Sequence, residues 1–519
     1  MHKEVVVSVF RWDPYLDKAP RYQEYHVPWR DKLTLLEVLR YIYEKYDPIS
    51  FDYGCRSIMC GRCGVQANGH PVLACITFVE PGKITIEPLK GFPIVKDLIV
   101  DRSKVEIRTL NVRPQLLRKH PPQEEPEILP VESTKDCMEL FKCRSCYLCH
   151  SACPVVEVAW DRFCGPAVRT RNQALRVCDP RDEADRMQEV VAEGLWLCTT
   201  CLKCKEVCPR EIDVPALTIK NLREKAVVMG LPVPSGFERA AATAGKTGRI
   251  LQAEGTPLLK AVPEIVKTND PVERVGFFVG CMFDYKLQNV GKAALDVLRL
   301  NKIEVVLPKE QVCCGMPMIW SGKLELVAEH FVKKNIAAFE RTNVKTVLTI
   351  CPSCCMTWKE EIPKLAHKIF GKKPEFEVLD LHEFLSKNTN LRTKMMRTID
   401  AKVTYHDPCH LRRGIGIYKE PRNLVQQIPG LEFVEMREAD RCCGGLLRFS
   451  EPTLANELAY RKLDSVRESG ASIVATTCPL CTDQLSMALR RRKVEGVKVV
   501  NVVELLKSAY QRVGNGGVI

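Results

Sequence analysis

The placement of its cysteines restricts this chain more than any other feature. Twenty-six of them occur in 519 residues, most in short runs of fixed spacing. Cysteine-dense secreted chains are usually short and stapled by disulfides. This one opens MHKEVVVSVFRW, an amphipathic strand pattern without the charged and apolar regions of a signal peptide. No window reaches the roughly 18 uninterrupted apolar residues of a membrane span. A cytoplasmic location, no membrane span of its own and cysteines acting as metal ligands or redox groups are therefore expected. With 45% apolar and 27% charged residues the composition is that of a globular protein, long enough for three or four domains. The net charge of +13 is spread along the chain. No basic run is interleaved with aromatics, so an acidic protein partner or anionic substrate fits better than nucleic acid.

Residues 3–12 read as a strand. Thr34 and Glu37 form a capping-box pair ahead of LLEVLRYIYEKY, whose apolar positions recur at helical spacing. Cys55, Cys60, Cys63 and Cys75 follow as C-x4-C-x2-C…C, the plant-type [2Fe–2S] arrangement. Zinc loops favour two C-x2-C pairs instead. A Pro-rich linker (106–132) then leads to two complete C-x2-C-x2-C-x3-C-P signatures. They are Cys143, Cys146, Cys149 and Cys153, then Cys198, Cys201, Cys204 and Cys208. The first three thiolates of such a signature hold one [4Fe–4S] cubane and the fourth ligates the other. Cys143, Cys146 and Cys149 should therefore pair with Cys208, and Cys198, Cys201 and Cys204 with Cys153. Cys137, Cys164 and Cys178 fit no motif and read as buried small side chains.

From about residue 270 the chain repeats itself. Cys281, Cys313-Cys314-Gly315, Cys351 and Cys354 recur as Cys409, Cys442-Cys443-Gly444, Cys478 and Cys481, at steps of 128, 129 and 127 residues. Steps this even mean a tandem domain repeat. The runs VGFFVG, IEVVLP and VKTVLTI, then KVTYHDP, LEFVEM and ASIVATT, are β-rich and alternate with helical stretches. That alternation predicts parallel sheets whose strand ends collect all five cysteines of each copy at one rim. His406, Asp407 and His410 flank Cys409. His410 is placed either to give a proton to a departing thiolate or to cap a backbone group. Arg412, Arg413 and Arg441 are placed either to bind an anionic substrate or as ordinary surface residues. Cys355 follows Cys354 directly and is not expected to be a ligand.

Several families share these motifs. DYGCRSIMCGRCGVQANGHPVLAC and the two ferredoxin signatures resemble the iron–sulfur subunits of succinate dehydrogenase and fumarate reductase over residues 1–240. The resemblance implies a flavoprotein partner. That family usually has a cysteine-poor second motif beside a quinone site, whereas here every ligand is present. The C-terminal half resembles the double CCG-motif subunits of heterodisulfide reductases. By that resemblance Cys281, Cys313, Cys314, Cys351 and Cys354 would hold one noncubane [4Fe–4S] cluster, and Cys409, Cys442, Cys443, Cys478 and Cys481 a second, on either side of the disulfide of coenzyme M and coenzyme B. The fusion of the two halves resembles the B subunits of thiol:fumarate reductases.

The expected fold is multidomain α+β and α/β: a plant-type ferredoxin β-grasp domain (1–105), an α-helical two-cluster ferredoxin domain (133–240) and two α/β CCG domains (270–395 and 400–519). The expected function is electron carriage between a succinate/fumarate flavoprotein and a thiol/disulfide site, with flavin only in the partner. The alternative is a pure electron-transfer subunit serving a membrane or other redox partner.

Overall fold

The computed structural model describes residues 3–122, 124–387 and 391–510. Positions 511–519, expected to close the second CCG domain, lie outside the described residues. The chain divides into two units, residues 1–198 with 202–226, and residues 199–201 with 227–519. Among the described residues no helix is long and apolar enough to cross a membrane.

The first unit begins with β1 (Glu4–Arg11) and β2 (Arg21–Pro28), an antiparallel pair. β3 (Gly64–Ala67), β4 (His70–Leu73) and β5 (Gly82–Glu87) complete a sheet of order β2-β1-β5-β3-β4. Val5, Val7 and Val9 alternate along β1 and are fully buried, the period of two that puts one face of a strand in a core. The helix Leu35–Lys45 packs its Leu35, Leu36, Val38, Leu39 and Ile42 inward. Its start is fixed as expected: Thr34 Oγ1 accepts from the Glu37 N–H at 3.3 Å, and Glu37 Oε2 accepts from the Thr34 N–H at 2.9 Å. A hairpin of β6 (Ile94–Lys96) and β7 (Ile99–Val100) follows. From residue 131 to the end of this unit the regular elements are short helices.

The second unit contains two parallel sheets of one design. β8 (Ile265–Val266), β9 (Glu273–Phe278), β10 (Ile303–Val306), β11 (Thr346–Thr349) and β12 (Glu377–Asp380) make the order β12-β11-β9-β10-β8, antiparallel only at the β8 edge. β13 (Ala401–Tyr405), β14 (Leu431–Phe433), β15 (Ile473–Thr476) and β16 (Lys498–Asn501) make the order β14-β13-β15-β16. Matched strand for strand, the second order is the first without its edge. The copies are tied together directly. Asn289 donates to Glu504 at 2.9 Å, Lys286 bonds Asp483 at 3.2 Å, and the Asn301 amide donates to the Tyr510 hydroxyl at 2.9 Å.

Candidate functional site

In each repeat the three cysteine groups follow three adjacent parallel strands. Cys281 follows β9, Cys313-Cys314 follow β10 and Cys351 follows β11; Cys409, Cys442-Cys443 and Cys478 follow β13, β14 and β15 in the same way. Side chains beyond the carboxyl ends of neighbouring parallel strands meet at one rim.

Local chemistry then sets the sulfurs. Cys351 and Cys478 stand at helix N-caps, each followed by Pro at the first helical position, where a missing N–H costs nothing. Cys354 and Cys481 lie in the first turns that follow, where free N–H groups favour negative charge. Gly315 and Gly444 take φ of +86° and +79°, and their N–H groups donate to Cys313 Sγ at 3.3 Å and Cys442 Sγ at 3.4 Å. A Cβ on Gly444 would also stand 2.8 Å from the Ala455 carbonyl oxygen. The glycine that completes each CCG triplet therefore lets the backbone turn back onto the sulfur.

Within each set the thiols are linked in one sequence, Cys281–Cys313–Cys314–Cys354–Cys351 and Cys409–Cys442–Cys443–Cys481–Cys478. Cys443 and Cys481 Sγ atoms are 3.4 Å apart. Hydrogen bonding to neighbouring thiols and burial push Cys281, Cys354, Cys409 and Cys481 well above the usual thiol range. The same bonds pull Cys314 down to about 6. Five thiols this close cannot all ionise in a buried site without a cation among them. Iron is that cation in iron–sulfur sites, so the donor sets fit such a centre.

The two sets adjoin. One cavity is lined by all five cysteines of the first set together with Cys478, Pro479 and Leu480 of the second. Ser353, between Cys351 and Cys354, bonds His410 beside Cys409.

His410 is buried, and both its ring nitrogens are engaged. Nε2 lies 3.1 Å from the Thr200 carbonyl oxygen, which can only accept, and Nδ1 lies 2.9 Å from Ser353 Oγ. Nε2 therefore carries the hydrogen and Nδ1 accepts from the hydroxyl. Arg413 is spent internally as well: Nε donates to the Cys201 carbonyl at 2.7 Å and Nη1 to Asp440. Arg412 pairs with Asp407 at 3.2 Å and Arg441 with Glu438 at 3.1 Å. Cys201 is within hydrogen-bonding reach of Cys442, an approach that motif spacing does not reveal.

In the first unit Cys143, Cys146, Cys149 and Cys208 line one small cavity with Pro209, the grouping expected from the crossed ferredoxin signatures. Of the four cysteines expected at the second cubane, Cys153, Cys198 and Cys204 belong to the first unit and Cys201 to the second. Around the earlier loop the Ser57 and Cys60 N–H groups donate to Cys55 Sγ at 3.3 and 3.2 Å. Those bonds hold Cys55 down to about 6. The Cys75 N–H donates to Cys63 Sγ at 3.4 Å, whereas burial raises Cys63 to about 12. Gly61 brings this loop against the next motif, since a Cβ there would stand 2.7 Å from the Arg144 carbonyl and 2.9 Å from Cys146 Cα. Cys137, Cys164 and Cys355 are buried, and Cys178 is half-buried and bonds the Leu175 carbonyl.

Comparison with known proteins assigns these stretches to three kinds of domain. Residues 6–106 match a 2Fe-2S iron-sulfur cluster binding domain, residues 139–212 a 4Fe-4S dicluster domain, and residues 275–359 and 403–486 each a cysteine-rich domain. The protein is thus a component of an iron–sulfur oxidoreductase. It is 38% identical to the B subunit of fumarate reductase (CoM/CoB) from Methanothermobacter marburgensis, over 97% of this chain and 99% of that one. It belongs to that family of B subunits. It is 36% identical to the fumarate reductase iron-sulfur subunit of Mycobacterium tuberculosis over 240 residues, 44% of this chain and 96% of the relative. It is also 29% identical to the D subunit of dihydromethanophenazine:CoB–CoM heterodisulfide reductase from Methanosarcina barkeri, over 72% of this chain and 94% of the relative.

Proposed function

We propose that this chain couples a succinate/fumarate flavoprotein partner to a thiol/disulfide site, so that fumarate is reduced as coenzyme M and coenzyme B thiols are oxidised to their heterodisulfide, or the reverse. In the forward direction the two thiols give up two protons and two electrons as one S–S bond forms. Fumarate takes up both and becomes succinate. The observation that carries this reading is the cavity bounded by the whole first cysteine set and by Cys478 of the second. Two centres side by side would let each hold one of the two sulfurs that join.

The residues expected to hold cofactors are the four of a plant-type, β-grasp [2Fe–2S] domain (Cys55, Cys60, Cys63, Cys75), the eight of two crossed cubanes, and the ten of the CCG sets as two noncubane clusters. These centres would supply one-electron carriage and an electron-accepting iron for each substrate sulfur. The chain's own part is to gather and shield them. Met282, Phe283, Met316, Phe449 and Leu480 give the cavity an apolar wall that keeps water from the reacting sulfurs. Cys201 beside Cys442 gives the second set a neighbour from a ferredoxin-type motif.

His410 acts here as a brace between the Thr200–Cys201 segment, the Cys351–Cys354 turn and Cys409. Glutamine can both donate to the Thr200 carbonyl and accept from Ser353. His410→Gln should therefore keep turnover within about threefold, whereas loss of a general acid costs about 10²–10⁴-fold.

The deciding experiment uses the purified complex with its flavoprotein partner under anaerobic conditions. Fumarate with both coenzyme thiols should yield succinate and heterodisulfide in equal amounts. The thiols should also alter the electron paramagnetic resonance of the CCG centres. No disulfide from a preparation with all its iron would reduce the chain to an electron carrier.

A further inference from the structure

One buried side chain has no assignment in the scheme above. His406, the residue after β13, is 1% exposed, and neither of its ring nitrogens has a hydrogen-bond partner among the described residues. Leaving a buried polar group unsatisfied is costly, and a native fold that does so usually has a reason at that spot. Its main chain is held in place. The His406 N–H donates to the Ala475 carbonyl at 2.9 Å, and the His406 carbonyl accepts from Thr476 Oγ1 at 3.1 Å, fixing this residue to β15. Its imidazole nitrogen and the sulfurs of Cys443 and Cys481 all lie within 4.8 Å of one another.

The matching position of the first repeat has no such group. Three residues ahead of Cys409 stands His406; three ahead of Cys281 stands Phe278. Phe278 packs edge-on against Trp358 at 5.5 Å between ring centres and offers no polar atom. The two sets thus match in their five sulfurs, and at this position only the second offers a polar ring.

We propose that His406 is a sixth protein contact of the iron–sulfur centre held by the second repeat, donating an imidazole N–H to sulfur at the Cys443–Cys481 side and making that centre the easier of the two to reduce. The inference rests on the preceding reading only in needing iron in both CCG sets. Five thiolates already serve the metal, so the nitrogen is a donor to sulfur. An N–H aimed at a thiolate or sulfide disperses the extra negative charge of the reduced state. Phe278 cannot do this. With unequal centres, the two electrons of a disulfide are handled at sites of different affinity.

The test begins with the wild-type complex grown on ¹⁵N-histidine. Pulsed electron paramagnetic resonance of the reduced CCG centres should show a weak histidine-nitrogen coupling on one of them, lost in His406→Gln. In a redox titration His406→Phe should shift the reduced-to-oxidised ratio of that centre about tenfold toward oxidised at fixed potential, or about 59 mV for one electron. The other centre should not move. His406→Gln, which keeps an N–H, should lie between. If His406→Phe fails to assemble the centre, the labelled wild type and His406→Gln still decide. Iron in both sets with no histidine coupling, or a coupling that survives in His406→Gln, overturns this proposal alone. Absence of iron from the CCG sets overturns it together with the proposed function.

Discussion

Cys443→Ser should abolish disulfide formation while leaving the first unit's centres in place. Cys443 sits at the middle of its thiol sequence, in reach of Cys442 and 3.4 Å from Cys481. Serine keeps the shape but offers a hydroxyl that does not ionise in a buried site. Even outer partners of metal ligands cost about 10–100-fold when removed, so turnover with both coenzyme thiols should fall by at least about a hundredfold. Iron analysis should show the loss of one centre, and the resonance signals of the ferredoxin-type clusters should persist. Cys355→Ala is the control. Cys355 is also buried and stands beside Cys354 in sequence, yet it lies outside the thiol sequence. Its loss should leave iron content and turnover unchanged at the cost of a small cavity. Equal damage from the two substitutions would mean that the five-cysteine grouping is wrong.

The difference between these two cysteines was legible in the sequence because spacing encodes geometry. The recurrence at steps near 128 residues identified the repeat, and β-rich runs ahead of Cys281, Cys351, Cys409 and Cys478 became parallel strands ending at those residues. Thr34 with Glu37 announced a helix start for the same reason: a capping box is local chemistry between residues three apart. Contacts made by distant segments left no such trace. Nothing in the order of residues shows that Ser353 would face His410, that Cys201 would lie against Cys442, or that Arg413 would be consumed by the Cys201 carbonyl and Asp440. His406 stands three residues before Cys409 and His410 one after it, and only packing separates a ring with two partners from a ring with none. One signal marks the stretch around His406 without singling it out. Aligning the repeats on Cys281 and Cys409 places His406, Asp407 and His410 opposite Phe278, Val279 and Met282, three exchanges of an apolar for a titratable side chain.

The residue between His406 and Pro408 should prove the one on which the second repeat most depends for stability. Asp407 is buried, and its carboxylate accepts from Arg422 Nη1 at 2.7 Å, Arg422 Nη2 at 2.8 Å and Arg412 Nη1 at 3.2 Å. The Asp407 N–H in turn donates to the Ala439 carbonyl at 3.0 Å. The loop that delivers Cys409 is thereby fixed against the segment leading to Cys442-Cys443. Asp407→Ala leaves the Arg422 guanidinium, whose side chain is 15% exposed, with Glu435 as its remaining acid partner. Removing one member of a buried ion pair costs about 3–5 kcal/mol, and the outcome here belongs toward the lower end because Glu435 is half exposed and screened. Urea unfolding of the assembled complex, followed by amide exchange over residues 401–510, should show the loss in this repeat first. Asp407→Asn keeps one acceptor and should cost less. Replacing Asp407 and Arg422 together by apolar residues should cost less than Asp407→Ala alone, because no charge is then stranded. If all three variants unfold alike, the pair does not hold the loop, and the placement of Cys409 must come from the β13 strand end alone.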